Sequence, residues 1–272
     1  MSTKQRRIRI AALSDLHCGK TSQGTYQSLF SQANGKADVL LLCGDLTDHG
    51  LPEEAQVLVR EMAGAVKVPV LAVLGNHDWH AGKQEEIEHV LTEAGMKVLD
   101  GDDCEVDGIG FAGVKGFCGG FGRHTLEAWG EEIVKKFVYE AVEEALKLEK
   151  ALARLHTPQK IAVLHYAPIK ATVEGEPEPI HPFLGSSRLE EPLTRYPVTA
   201  VFHGHAHHGS PEGRTRDGVP VYNVALPVLR QAYPDQPPFR ILEVSVDEER
   251  ALRRGECAPS PPRAAAASAN QR

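Results

Sequence analysis

The chain of 272 residues has little cysteine, only two tryptophans and no long apolar run. Its five cysteines, Cys18, Cys43, Cys104, Cys118 and Cys257, are odd in number and form no Cys-x-x-Cys pair. That argues against a zinc ribbon and against a complete disulfide framework, and a reducing, cytoplasmic setting is expected. No stretch approaches the ~20 apolar residues a membrane span requires. The apolar run after Lys4, Arg6 and Arg7 is only Ile8 to Leu13, interrupted by Arg9, and is too short for a signal segment. A membrane partner is not expected. Basic excess is missing as well: the formal charge is -7 and the pI is near 6.0. A broad cationic face for nucleic acid is therefore disfavoured, although a local positive site is compatible with this balance.

What the sequence does have is a recurring pattern of short apolar runs that stop at polar clusters. Ile8–Leu13 ends in Ser-Asp-Leu-His, Val39–Cys43 in Gly-Asp, and Val70–Leu74 in Gly-Asn-His-Asp; Ile161–Leu164 ends at His165, and Val198–Phe202 in His-Gly-His-Ala-His. Such runs predict buried strands feeding functional loops. Between them, helices are predicted over Pro52–Met62, Lys83–Ala94 with a Gly95 stop, and Thr125–Leu155. Strand and helix alternate, as in an α/β sheet. Asp107-Gly108 predicts a hairpin between Cys104–Val106 and Ile109–Val114. Val219–Val224 and Phe239–Val246 predict later, antiparallel strands. Val173–Phe183, acidic and proline-broken, predicts a surface loop near the site. The glycine run Gly116–Gly122 lacks a P-loop ending and predicts a flexible loop. Residues 1–254 read as a single domain and 255–272, rich in Pro and Ala, as a disordered tail.

The chemistry lies at the strand ends. Asp15 and His17 stand two apart, and on an extended backbone both would face one ion. Asp45 adds a carboxylate whose two oxygens can each face a cation, with Gly44 leaving room for close backbone approach. Asn76 offers an amide oxygen, His165 an imidazole, and His205 with His207 another i, i+2 pair. Ligands at the carboxyl ends of strands in an α/β sheet converge on one crevice. Mixed O and N donors without thiolate favour Mn, Fe, Zn, Co or Ni over Ca. His49, His80, His89, His124, His156, His181, His203 and His208 follow no comparable rule and read as surface or satisfied core residues. Cys18 and Cys118 read as packing residues.

In order, the blocks DLH (15–17), GDLTD (44–48), GNHD (75–78), a lone His165 and GHAH (204–207) resemble the calcineurin-like metallophosphoesterase superfamily. The resemblance implies an α/β fold, a four-layer αββα sandwich of two mixed β-sheets flanked by helices. It implies two divalent cations, with Mn the first choice, one held by Asp15, His17, Asp45 and His207 and the other by Asp45, Asn76, His165 and His205. His77 then takes the place of the histidine that protonates the leaving oxygen, with Asp48 as its orienting partner. The implied reaction is in-line attack on phosphorus by a metal-bridging hydroxide, with no protein nucleophile. His49 and the GNHD form depart from the protein-phosphatase pattern. The partner is expected to be a small anionic phosphoester, with a lean to phosphodiesters of small or nucleotide-type substrates. The alternatives are a phosphomonoesterase and a non-catalytic scaffold on the same fold.

Overall fold

A computed structural model describes residues 5–248; the predicted tail at 255–272 lies outside them. The strands are β1 (Gln5–Leu13), β2 (Val39–Cys43), β3 (Val70–Val73), β4 (Lys97–Val98), β5 (Asp102–Val106), β6 (Ile109–Gly113), β7 (Gln159–Val163), β8 (Ala200–His203), β9 (Glu212–Arg214), β10 (Pro220–Asn223) and β11 (Arg240–Asp247). The helices are α1 (Gln27–Lys36), α2 (Pro52–Met62), α3 (Gln84–Glu93), α4 (Glu132–Arg154), α5 (His181–Leu184), α6 (Glu190–Arg195) and α7 (Leu226–Ala232).

Two mixed sheets result. One has the order β11-β1-β2-β3-β4, parallel from β1 to β4 with β11 antiparallel at its edge. The other has the order β5-β6-β7-β8-β10-β9, parallel from β6 to β10 with an antiparallel strand at either edge.

Every residue of β2 is buried, because both faces of its sheet are covered. Val39, Leu41 and Cys43 face the second sheet, where they meet a layer that includes Phe111, Ile161, Val163 and Phe202. Leu40 and Leu42 face the other way, toward Phe30, Leu58 and Ile87 of α1, α2 and α3. The second sheet repeats the pattern: Ile161 and Val163 point inward, while Ala162 and Leu164 pack with Leu148, Ala151 and Leu152 of α4. This alternation is what makes four layers from runs that look uniformly apolar.

Several sequence expectations need correction. The long helix begins at Glu132 rather than Thr125, since Gly130 takes a positive φ of 81° and Glu131 is extended. Strand β10 runs parallel to β8, not antiparallel to its neighbours throughout, because the chain returns through the Glu212–Arg214 strand before entering it. The acidic 173–183 segment is partly regular: a 3-10 turn spans Glu178–Ile180 and α5 starts at His181. The glycine run is held by main-chain bonds, Gly119 N to Pro182 O (2.8 Å) and Gly120 N to Gly185 O (2.9 Å), so it is not a free loop. The 107–108 hairpin forms as expected, with Val106 opposite Ile109.

Candidate metal centre and active site

Parallel strands end on the same side, so the turns after β1, β2, β3, β7 and β8 bring Asp15, Asp45, Asn76, His165 and His205 to one edge shared by the two sheets. The backbone there is unusual. Asp15, His17, Asp45 and His205 all have positive φ, at 60°, 46°, 48° and 71°. Each such non-glycine residue costs about 1–3 kcal/mol and persists only where the surroundings over-determine it. The i, i+2 argument from an extended backbone therefore fails for the Asp15–His17 pair. Their side chains converge because tight, strained turns aim them, fixed by Asp15 N to Gly44 O (3.0 Å) and His17 N to Asp45 O (3.0 Å).

Three glycines leave the space these turns need. A Cβ on Gly204 would lie 2.3 Å from Asp15 Oδ2, one on Gly75 would lie 2.2 Å from Asp45 Oδ1, and one on Gly44 would lie 2.4 Å from His165 Nδ1.

All nine residues singled out in the sequence meet in this place. His207 Nε2 donates to Asp15 Oδ1 at 2.9 Å, and His205 N donates to Asp15 Oδ2 at 3.0 Å. His17 Nε2 stands 4.0 Å from Asp15 Oδ1 and 3.8 Å from Asp45 Oδ2. On the other side, His165 Nε2 is 3.3 Å from Asp45 Oδ1 and 2.9 Å from Asn76 Oδ1. Ligand atoms of Asp15, His17 and His207, of His17, Asp45 and His77, and of Asp45, His165 and His205 form three overlapping groups, each within 4.8 Å.

These donors fit divalent cations. His17 Nε2 is buried and has no hydrogen-bond partner. His165 gives Nδ1 to Cys43 O at 3.0 Å, which fixes its tautomer and leaves Nε2 with a lone pair turned toward the Asn76 amide and Asp45. Burial lowers His17, His165 and His205, so these imidazoles are neutral, the form in which they ligate metal. The carboxylates diverge. Burial is the largest influence on Asp15 and would raise it. The hydrogen bond and charge of His207, with Ser14 and the other neighbouring groups that lower it, together outweigh burial and hold this carboxyl far below its ordinary range. Asp45 is pushed up to about 9 by burial and by the charges of Asp15 and Asp78. A cation beside Asp45 would reverse that.

His77 binds the site through its backbone, N to Asp45 Oδ1 at 2.8 Å, and gives its ring Nδ1 to Asp48 O at 2.7 Å. The ring is therefore bonded to the Asp48 main-chain carbonyl and not to the Asp48 carboxylate expected from the resemblance. Its carboxylate instead lies 3.7 Å from His17 Nδ1 and 3.2 Å from His49 Nδ1.

Sequence reasoning missed Asp78. This buried carboxylate accepts from Gly75 N (2.8 Å), Thr47 N (2.8 Å), Thr47 Oγ1 (2.6 Å) and Leu46 N (3.2 Å), and so ties the turn after β2 to the turn after β3. The only sequence sign was its place as the last letter of GNHD. The bland readings of His203 and Cys18 fit the structure: His203 is buried against Thr172 Oγ1 and Gly204 O, and Cys18 packs in the first core with its thiol raised to about 11 by burial.

Comparison with known proteins follows the same line. The profile of the calcineurin-like phosphoesterase family matches residues 8–209. The chain is 27% identical over 179 residues to a probable glycerophosphodiester phosphodiesterase GpdQ of Arcobacter nitrofigilis, covering 64% of this chain and 58% of that one. It is 33% identical over 81 residues to a glycerophosphodiester phosphodiesterase GpdQ of Enterobacter lignolyticus, covering 25% of this chain and 29% of that one. The matched parts thus span less than two thirds of these curated relatives. Among solved structures, the phosphopantetheinyl hydrolase PptH of Mycobacterium tuberculosis shares the fold with a TM-score of 0.61 at 15% identity, over 86% of this chain and 95% of that one. TT1561 of Thermus thermophilus gives 0.50 at 19% identity, over 82% and 92%. With three quarters of its length under one family profile, and that family's fold around the clustered Asp and His side chains, the chain belongs to the calcineurin-like phosphoesterases.

Proposed function

We propose that the chain is a binuclear metal-dependent phosphodiesterase acting on small phosphodiesters. The observation that carries this is the pair of ligand groups that meet at Asp45, with the orphaned His17 Nε2 between the two carboxylates. Asp15, His17, Asp45 and His207 would hold one divalent cation, and Asp45, Asn76, His165 and His205 the other. When bound, the cations would supply a water of lowered pKa and neutralise charge on the phosphoryl oxygens.

The protein's own part is positioning and proton transfer. Its bond to Asp48 O fixes the His77 ring, edge-on to His17 at 4.4 Å between centroids, and leaves Nε2 to face a substrate oxygen. From there, a protonated Nε2 gives its proton to the departing alkoxide. Trp79, 40% exposed, follows in the same turn, and Phe183, 60% exposed, lends its carbonyl to His205 Nε2 at 3.1 Å. Two exposed aromatic residues thus stand beside the turns that carry the ligands, and an apolar edge there would suit the second ester group of a diester. The curated relatives' names point the same way.

The test is hydrolysis of bis-p-nitrophenyl phosphate and p-nitrophenyl phosphate by metal-stripped protein resupplied with Mn, Zn, Ni or Mg. The expected result is metal-dependent turnover, strongest with Mn, that favours the diester. Preference for the monoester would replace this reading with a phosphatase. No metal-dependent turnover of either would favour a scaffold.

A further inference from the structure

Lys115, at the end of the second sheet's β6 run, is buried. Its ammonium donates to Gly116 O at 2.9 Å and is surrounded by three rings, with Nζ 5.5 Å from the centroid of Trp79, 5.0 Å from Phe117 and 5.4 Å from Tyr166. Among the described residues no carboxylate lies within ion-pairing distance of it, whereas Lys147, Arg9 and Arg154 each have one. A buried charge without a counter-ion is costly. Aromatic faces and one carbonyl offset part of that cost and keep the charge in place. The other buried lysine, Lys160, sits at the opposite, amino-terminal end of β7, away from the ligands.

The location gives the cage its meaning. Tyr166 packs on the His205 ring at 4.5 Å and the His165 ring at 5.5 Å, so one aromatic ring separates the ammonium from two candidate metal ligands. Trp79, another wall of the cage, follows His77 by two residues in the same turn and is partly exposed, so one wall of the cage borders both solvent and the turn that carries His77. The Lys115 carbonyl also accepts from His165 N and Tyr166 N, which fixes its backbone against the same turn.

Resting on the reading of this site as a phosphoester hydrolase, we infer that Lys115 in its Trp79–Phe117–Tyr166 cage is a subsite for a second acidic group of the substrate, carried beside the scissile phosphate. One N–H of the ammonium is used by Gly116, leaving two for an incoming carboxylate or phosphate. The ligand brings the counter-ion that the protein withholds. The chemical class is a phosphodiester with an acidic substituent on one ester group.

The test uses two substrate pairs with the metal-loaded full chain. Glycerophosphoserine and glycerophosphoethanolamine differ by one carboxylate; thymidine 5′-p-nitrophenyl phosphate with and without a 3′-phosphate differ by one phosphate. The expected kcat/KM favours the more acidic member of at least one pair by about tenfold, expressed in KM, and the responding pair identifies which acid is taken. Lys115→Met should erase most of that ratio and Lys115→Arg should keep most of it. No preference in either pair in the unmutated chain overturns the inference without need of any variant. So does a Lys115→Met loss that is equal on both members.

Failure of the hydrolase reading itself would look different: none of the four compounds would turn over. Binding then decides. In Trp129→Phe, Trp79 is the sole tryptophan. A change in its emission at lower phosphoserine than phosphoethanolamine concentration supports the subsite, whereas equal or absent responses overturn it.

Discussion

Around Asp15, a carboxyl held low meets an imidazole held high, since the 2.9 Å bond between Asp15 and His207 raises the histidine as it lowers the acid. Around Asp45 the arrangement is inverted. Burial and two neighbouring carboxylates raise that acid, and burial lowers His165 and His205. The same residue types thus favour a proton on different partners, His207 in the first half and Asp45 in the second. A cation entering either half must displace that proton. What separates the halves is the neighbourhood: Asp15 has a hydrogen-bonded cationic partner, while Asp45 has Asp15 and Asp78 beside it.

The strongest way to break the comparison is Asp45→Asn, which removes the carboxylate common to both ligand groups. Turnover should fall by more than the about 10–100-fold that an outer-shell change costs, and metal content should drop, while the circular dichroism spectrum is kept. Full activity in this variant would end the two-cation reading.

A more selective change is Gly204→Ala. Its methyl would meet Ser14 Oγ at 2.0 Å and Asp15 Oδ2 at 2.3 Å, so it strikes the Asp15 half first. Competition titration with a chromophoric chelator should show one cation weakened by about 10–100-fold and the other by less. Equal weakening of both would mean that the halves do not act separately.

The smallest effect is in proton release. At pH 6, metal binding should release about two protons per chain, one from each half. Raising the pH should remove the His207 contribution first, and the Asp45 contribution last, as the pH approaches about 9. Metal affinity accordingly rises with pH across this window. Calorimetry in buffers of different ionisation enthalpy reads the count, and an invariant count from pH 6 to 9 would contradict the inverted protonation.

Much of this architecture was legible in the sequence because apolar runs and their polar stops are local. Pro52–Met62 formed the helix its pattern required, with Pro52 in the first turn and Glu54 Oε2 accepting from His49 N at 2.8 Å. The direction of β10 was not legible, since pairing with β8 is a long-range choice that no turn residue announces. Nor was the left-handed backbone of Asp15 and His17, because only the surrounding fold makes non-glycine residues accept it. Asp78 escaped for a related reason: its importance lies in four bonds to the chain's own backbone and Thr47, and a carboxylate used that way looks like any other in the sequence.

The bond between His207 and Asp15 joins residues 192 positions apart. Neither ligand group of the proposed pair is complete until the turn after β8 has been made, because one needs His207 and the other His205. During synthesis the first sheet's strands β1 to β3 emerge long before that turn. Capture of both proposed cations would therefore wait until the turn after β8 has been made and folded against β1. Ions held there would staple β1 to β8 across most of the described fold, and would stabilise the folded state in proportion to the logarithm of their concentration.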